Sequence, residues 1–161
     1  VMIYVKDNFL KPQLFKALVD YADDFTEVKT PGKSFWVKEL PAEFENLLVN
    51  ELKAIERKPI NIIKAFIRKA EGNQDSEWRI HNDTIIEGQQ PSRAVVLYIE
   101  SNYNEFNRML LEDANDKSKW KLKSVIGYKP NRLLSYPCNY FHSKYPNKFK
   151  EPRKVLVIFY K

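Results

Sequence analysis

Two apolar stripes at helical spacing open this 161-residue chain, and a succession of short apolar runs follows them. That order constrains the fold more than any single residue. Leu10, Leu14, Ala17, Leu18 and Tyr21 mark the first stripe, with Pro12 in an opening turn that tolerates proline. Phe44, Leu47, Leu48, Leu52 and Ile55 repeat the pattern after Pro41, and Pro59 closes it. Amphipathic helices need a surface to cover, and the rest of the chain has the residues to build a sheet.

Ile60 to Lys69 is rich in β-branched and aromatic residues and reads as a strand. Trp78 to Asp83, Ala94 to Ile99, Lys119 to Ile126, Asn131 to Tyr136 and Lys154 to Tyr160 read as further strands. Shorter extended pieces are expected at Val1 to Val5, Ser34 to Leu40 and Met109 to Leu111. Thr30-Pro31-Gly32-Lys33 is a turn, and further turns fall near Pro91, Gly127 to Pro130, and Pro137. The expectation is a mainly β fold, a sandwich or barrel buttressed by two N-terminal helices. No repeat or linker interrupts it, so residues 1–161 are read as one domain.

Apolar residues make up 43% of the chain and aromatics 14%, which excludes a disordered or low-complexity protein. The lone Cys138 excludes an internal disulfide and fits a reducing compartment. No apolar run approaches the roughly 18 residues of a membrane span, and Lys6, Asp7 and Lys11 interrupt any signal-like start. A cytoplasmic protein with no membrane partner is expected. The net charge of +6 gathers in Lys117 to Lys129 and Lys144 to Lys154. Such runs are either a solvated face or a field for an anionic ligand. Nucleic acid stays open as a partner, with no recognised binding motif behind it.

The chain has two histidines, and the first lies in His81-Asn82-Asp83. Side chains alternate along a strand, so Arg79, His81 and Asp83 would share a face, with Trp78 and Ile80 on the other. The second, His142, follows the Pro137-Cys138-Asn139 bend and could reach the same end of a sandwich. Two imidazoles and one carboxylate are the donor set that holds divalent iron and leaves adjacent coordination positions open. An ordinary polar pair at His81 and Asp83 is the competing reading. With His142 committed to the metal, Cys138 lacks a base and reads as a small buried apolar group.

On these residues the chain resembles the 2-oxoglutarate- and iron-dependent dioxygenases, particularly small prolyl-4-hydroxylase-like and phage-encoded members. The matching parts are Trp78 to Asp83, Arg93 to Ile99, Lys129 to Tyr136 leading to His142, and Arg153 before Val155 to Tyr160. Ile3 to Leu10 is similar to the usual lead-in to the first helix. The resemblance implies a double-stranded β-helix, the jelly roll of the cupins, with the two helices packed on one sheet. It implies Fe(II) held by His81, Asp83 and His142, and Arg153 gripping the distal carboxylate of 2-oxoglutarate. Dioxygen would be the other cosubstrate, and ascorbate an optional addition. The implied reaction hydroxylates a substrate C–H bond, with succinate and carbon dioxide as coproducts. A prolyl or other amino-acid residue is one candidate among peptides and small molecules. For a phage-encoded member the location would be the host cytoplasm.

Two departures from the family pattern stand out. Many relatives carry a tyrosine shortly before the first ligand that assists cosubstrate binding, and Phe66 to Trp78 contains none. Asn102 to Arg108, where relatives tend to have glycine, has none either. Arg132 is open between ligand contact and a structural role, and Tyr98 between cavity and core. Two other functions compete. A non-catalytic β-sandwich with a basic binding face would keep the histidines apart, their ring nitrogens more than about 5 Å distant. A cupin-like metalloenzyme independent of 2-oxoglutarate would keep the metal and make no use of Arg153.

Overall fold

The polypeptide enters through strand β1 (Tyr4–Lys6) and turns into helix α1 (Pro12–Tyr21), where Pro12 occupies a first-turn position that needs no amide donor. The computed structural model describes residues 3–30, 33–70, 80–101, 107–111, 122–145 and 153–161. Strands β2 (Thr26–Thr30) and β3 (Lys33–Glu39) form a hairpin, followed by helix α2 (Ala42–Glu56). Glu43 and Glu45 lie in the first turn of α2, where negative charge complements the helix dipole. Arg57 ends α2 at φ 57°, its amide donating to the Lys53 carbonyl. Strands β4 (Ile62–Ala70), β5 (Arg93–Ser101), β6 (Asn107–Leu111), β7 (Leu122–Gly127), β8 (Leu133–Pro137), β9 (Phe141–Tyr145) and β10 (Arg153–Tyr160) complete the described elements.

Seven strands form one sheet in the order β1-β8-β5-β10-β4-β3-β2, and β7-β6-β9 form a second. Every pairing is antiparallel. This mainly β, jelly-roll architecture with two buttressing helices is the one the sequence predicts. Alternation along the central strands divides the seven-stranded sheet into two apolar faces. Val95, Leu97, Ile99, Leu133, Leu156 and Ile158 pack with Leu18 of α1 and Leu48 and Leu52 of α2. Ala94, Val96, Tyr98, Leu134, Tyr136, Val155 and Phe159 form a separate inner cluster.

Polar clasps hold the helices to the sheet. Tyr160 donates its hydroxyl hydrogen bond to Glu56 at the end of α2. Arg93 lies 3.5 Å from the same carboxylate and donates to Ser135 Oγ and the Ser135 carbonyl at 2.8 and 3.0 Å. Burial, reinforced by Glu56, drives the Tyr160 phenol well above its ordinary pKa, so it stays a donor. At the other end Arg132 grips Asp7 at 2.6 and 3.1 Å, which pulls the Asp7 carboxyl down to about 2. Arg132 thus has a structural partner, joining β8 to the segment after β1.

Asn131 supports the entry to α1. Its Oδ1 accepts from the Leu10 amide at 3.0 Å and its Nδ2 donates to the Leu10 carbonyl at 2.8 Å. Its backbone takes φ 62°, a conformation asparagine tolerates better than most residues. Leu10 is 1% exposed, so water cannot replace those bonds. Asn131→Ala is expected to cost about 2–6 kcal/mol, from two orphaned buried backbone groups at about 1–3 kcal/mol each. Urea unfolding of the two proteins measures it, and equal midpoints would show that the clasp contributes nothing.

The structure departs from the sequence reading in several places. Trp78 to Asp83 was expected as a strand; positions 78–79 lie outside the described residues, and of the rest only His81 forms an isolated bridge, to His142. A continued ladder would pair Asp83 with Tyr140. Instead the Asp83 amide donates to the Cys138 carbonyl at 3.0 Å, and the Tyr140 amide turns back to Pro137 at 3.1 Å. Strands β2 and β9 are additional to the predicted set. Trp78, the glycine-free 102–106 segment, Lys117, Lys119, Lys121, Lys148 and Lys150 lie outside the described residues. Lys129 and Lys154 are described and pair with Asp7 at 3.4 Å and Glu100 at 3.2 Å. No helix among the described residues is long and apolar enough to cross a membrane.

Candidate metal centre

The turn at Pro137 to Tyr140 carries the chain from the seven-stranded sheet to β9 in the three-stranded one, and this places His142. On one side β9 pairs with β6, with His142 opposite Leu110. On the other it meets the segment bearing His81. The His142 amide donates to the His81 carbonyl at 2.8 Å, and the His81 amide returns a bond to His142 at 3.1 Å. A reciprocal backbone pair thus brings together two residues far apart in sequence.

The side chains converge accordingly. His142 Nε2 lies 3.3 Å from Asp83 Oδ2, and His81 Nε2 lies 3.9 Å from Asp83 Oδ1. The imidazole centroids are 4.5 Å apart, and the donor atoms of all three residues fall within 4.8 Å of one another. Donors about 2.1 Å from a common ion sit about 3 Å apart on adjacent positions and at most about 4.2 Å apart. The arrangement needs only a small contraction to accept a divalent cation. A non-catalytic sandwich with separated histidines does not have this geometry.

The local surroundings orient these donors. His142 Nδ1 lies 3.0 Å from the Tyr140 carbonyl, a contact that favours the tautomer with Nδ1 protonated and Nε2 free to coordinate. Tyr136 packs 5.0 Å from the same ring, and the His142 side chain is 3% exposed. The His81 side chain is 35% exposed, so the site is sealed on one side and open on the other. Burial, with the Asp83 carboxylate nearby, pushes the Cys138 thiol up to about 12. It stays protonated, unsuited to coordinate or attack.

Arg153 begins β10 with Ala70 and Ser101 as its Cα partners. It is 1% exposed and shares the inner face with Val155. Lys154 points the other way, donating to the Ala22 carbonyl at 2.8 Å. Tyr98 on β5 lies opposite Val155, is fully buried, and carries a hydroxyl with no hydrogen-bond partner among the described residues. An orphaned buried hydroxyl is costly, and that of Tyr98 calls for an explanation. Sequence reasoning left Tyr98 undecided, because its relation to Arg153 depends on the β5–β10 register.

No family model and no curated protein matches this chain. Solved structures do. The non-haem α-ketoglutarate-dependent carbocyclase SnoK from nogalamycin biosynthesis superposes with a TM-score of 0.72 at 10% identity, over 98% of this chain and 78% of SnoK. A Pseudomonas putida prolyl-4-hydroxylase gives 0.67 at 11% identity, over 99% of this chain and 91% of that one. The fold is that of the 2-oxoglutarate- and iron-dependent oxygenases. HygX from Streptomyces hygroscopicus, solved with nickel and 2-oxoglutarate bound, gives 0.65 at 12% identity, over 98% of this chain and 82% of that one. The His81, Asp83 and His142 cluster therefore stands in an oxygenase fold with the donor set suited to non-haem iron.

Proposed function

We propose that residues 1–161 form one Fe(II)- and 2-oxoglutarate-dependent dioxygenase domain that hydroxylates a substrate C–H bond, releasing succinate and carbon dioxide. The observation that carries this reading is the convergence of His81, Asp83 and His142 within 4.8 Å. Bound iron would supply the redox chemistry that joins dioxygen to both 2-oxoglutarate and substrate. The rest belongs to the chain. His81 and His142 contribute neutral donors, and Asp83 contributes the charge that offsets the cation. An aspartate in that position leaves no place for a halide ligand and favours hydroxylation over halogenation.

Arg153 holds the distal carboxylate of 2-oxoglutarate through the two parallel N–H bonds of its guanidinium. The Tyr98 hydroxyl donates a further bond to that carboxylate. It stands in for the tyrosine missing between Phe66 and Trp78. Val96, Leu134, Val155 and Phe159 line the same inner face and keep water from the reacting groups. The open side at His81 admits the substrate.

Purified protein supplied with ferrous iron, 2-oxoglutarate and air is expected to form succinate, measured by chromatography. A panel of prolyl peptides, free amino acids and other small molecules should contain at least one compound that accelerates it. Failure of the folded protein to bind either ferrous iron or 2-oxoglutarate would overturn the proposal.

A further inference from the structure

On the helix side of the seven-stranded sheet stands a buried ion pair that the proposed reaction does not use. The Glu56 and Arg93 side chains are 8% and 11% exposed, with Arg93 Nε 3.5 Å from Glu56 Oε1. The same guanidinium lies over the Tyr4 ring, 4.8 Å from its centroid. Taking two charges out of water is costly, and well-packed apolar residues hold a helix to a sheet at least as well. What a guanidinium adds is direction, because its N–H donors form a rigid fork.

Arg93 aims that fork at β8. Its Nε donates to Ser135 Oγ at 2.8 Å and its Nη2 to the Ser135 carbonyl at 3.0 Å. Ser135 stands between Leu134 and Tyr136, which alternation turns to the inner face, and the Tyr136 ring packs 5.0 Å from that of His142. Two residues beyond Ser135 the chain leaves β8 through the turn at Pro137 to Tyr140. Carbonyls of that turn orient two members of the metal centre. The Cys138 carbonyl accepts from the Asp83 amide at 3.0 Å, and the Tyr140 carbonyl lies 3.0 Å from His142 Nδ1. The turn is anchored where Arg93 opens β5. Arg93 is the Cα partner of Pro137, and the Cys138 amide donates to the Ser92 carbonyl at 3.1 Å.

We infer that Arg93, braced by Glu56, is a positioning residue of the metal centre. It fixes the end of β8, and with it the turn that orients Asp83 and His142. The inference rests on the reading of His81, Asp83 and His142 as metal ligands and adds a support behind them. It makes the C-terminal end of α2 part of that support, acting through the thickness of the sheet.

The test compares Mn(II) titration by calorimetry, the visible spectrum with Co(II), whose bands report the ligand arrangement, and a melting curve, all on the full chain. R93K keeps the charge that faces Glu56 and loses the fork. It is expected to bind Mn(II) about ten- to a hundredfold more weakly, the range for residues that orient a metal ligand, and to shift the Co(II) bands. S135A removes one acceptor of the fork, should shift the bands as well, and is read in place of R93K if that protein fails to fold. L52A is the control, at a buried position where α2 packs on the sheet. It should lower the melting temperature and leave Mn(II) affinity and the Co(II) spectrum as in the parent. Folded R93K and S135A proteins with parent-like affinity and spectrum would overturn the role of Arg93. An equal loss of Mn(II) affinity in L52A would overturn it too, by reducing the effect to general stability. A parent protein that binds no Mn(II) would instead overturn the reading of the metal centre itself.

Discussion

Asp83→Ala is expected to weaken divalent-metal binding by more than about a hundredfold and to abolish succinate formation. Replacing partners that merely orient a ligand costs about ten- to a hundredfold in metal affinity, so removing a ligand should cost at least as much. Asp83 is the most informative of the three positions. It supplies the only negative charge in the set, and its side chain is 15% exposed, so truncation leaves no large buried cavity. His142→Ala would add a packing defect, because that ring is buried against Tyr136. Titration with Mn(II), alongside a melting curve, separates metal loss from unfolding. Retention of parent-like metal affinity by a folded Asp83→Ala protein would remove this residue from the ligand set.

Arg153→Met should raise the 2-oxoglutarate concentration needed for half-maximal succinate formation by about a hundredfold or more. Two charged hydrogen bonds at about 1.5–3 kcal/mol each correspond to roughly two to four powers of ten. Metal binding should be untouched, since Arg153 is not among the donors. A melting curve recorded beside the kinetics separates weaker cosubstrate binding from unfolding at this buried position. An unchanged 2-oxoglutarate requirement would favour a metalloenzyme that has no use for this cosubstrate.

Much of the architecture was legible because it rests on local periodicity. The stripes of α1 and α2 and the dense apolar runs of β4, β5, β8 and β10 announce themselves, since burial on one or both faces leaves a repeating signature. Strands β2 and β9 do not. Thr26-Glu27-Val28-Lys29-Thr30 and Phe141-His142-Ser143-Lys144-Tyr145 are short and half polar, and pairing rather than propensity makes them extended. The donor set was legible through residue type and order, although the expected strand at His81 is only one bridge. Cross-strand neighbours were not. The placement of Tyr98 opposite Val155, near the start of the strand that Arg153 opens, depends on a register that no single segment encodes.

The division of the seven-stranded sheet into two apolar faces bears on how such a chain can diversify. The helix-side face, with Leu18, Leu48 and Leu52 packed on it, carries the buttress. The opposite face carries the inner cluster and the proposed ligand-binding residues, and strand alternation lets a position change with little effect on its neighbour behind the sheet. Innovation and robustness are thereby assigned to alternate letters of the same strands. The solved structures that share this frame do so at 10–12% identity. A scaffold whose odd and even positions answer to different selective demands can drift that far in sequence and keep its shape.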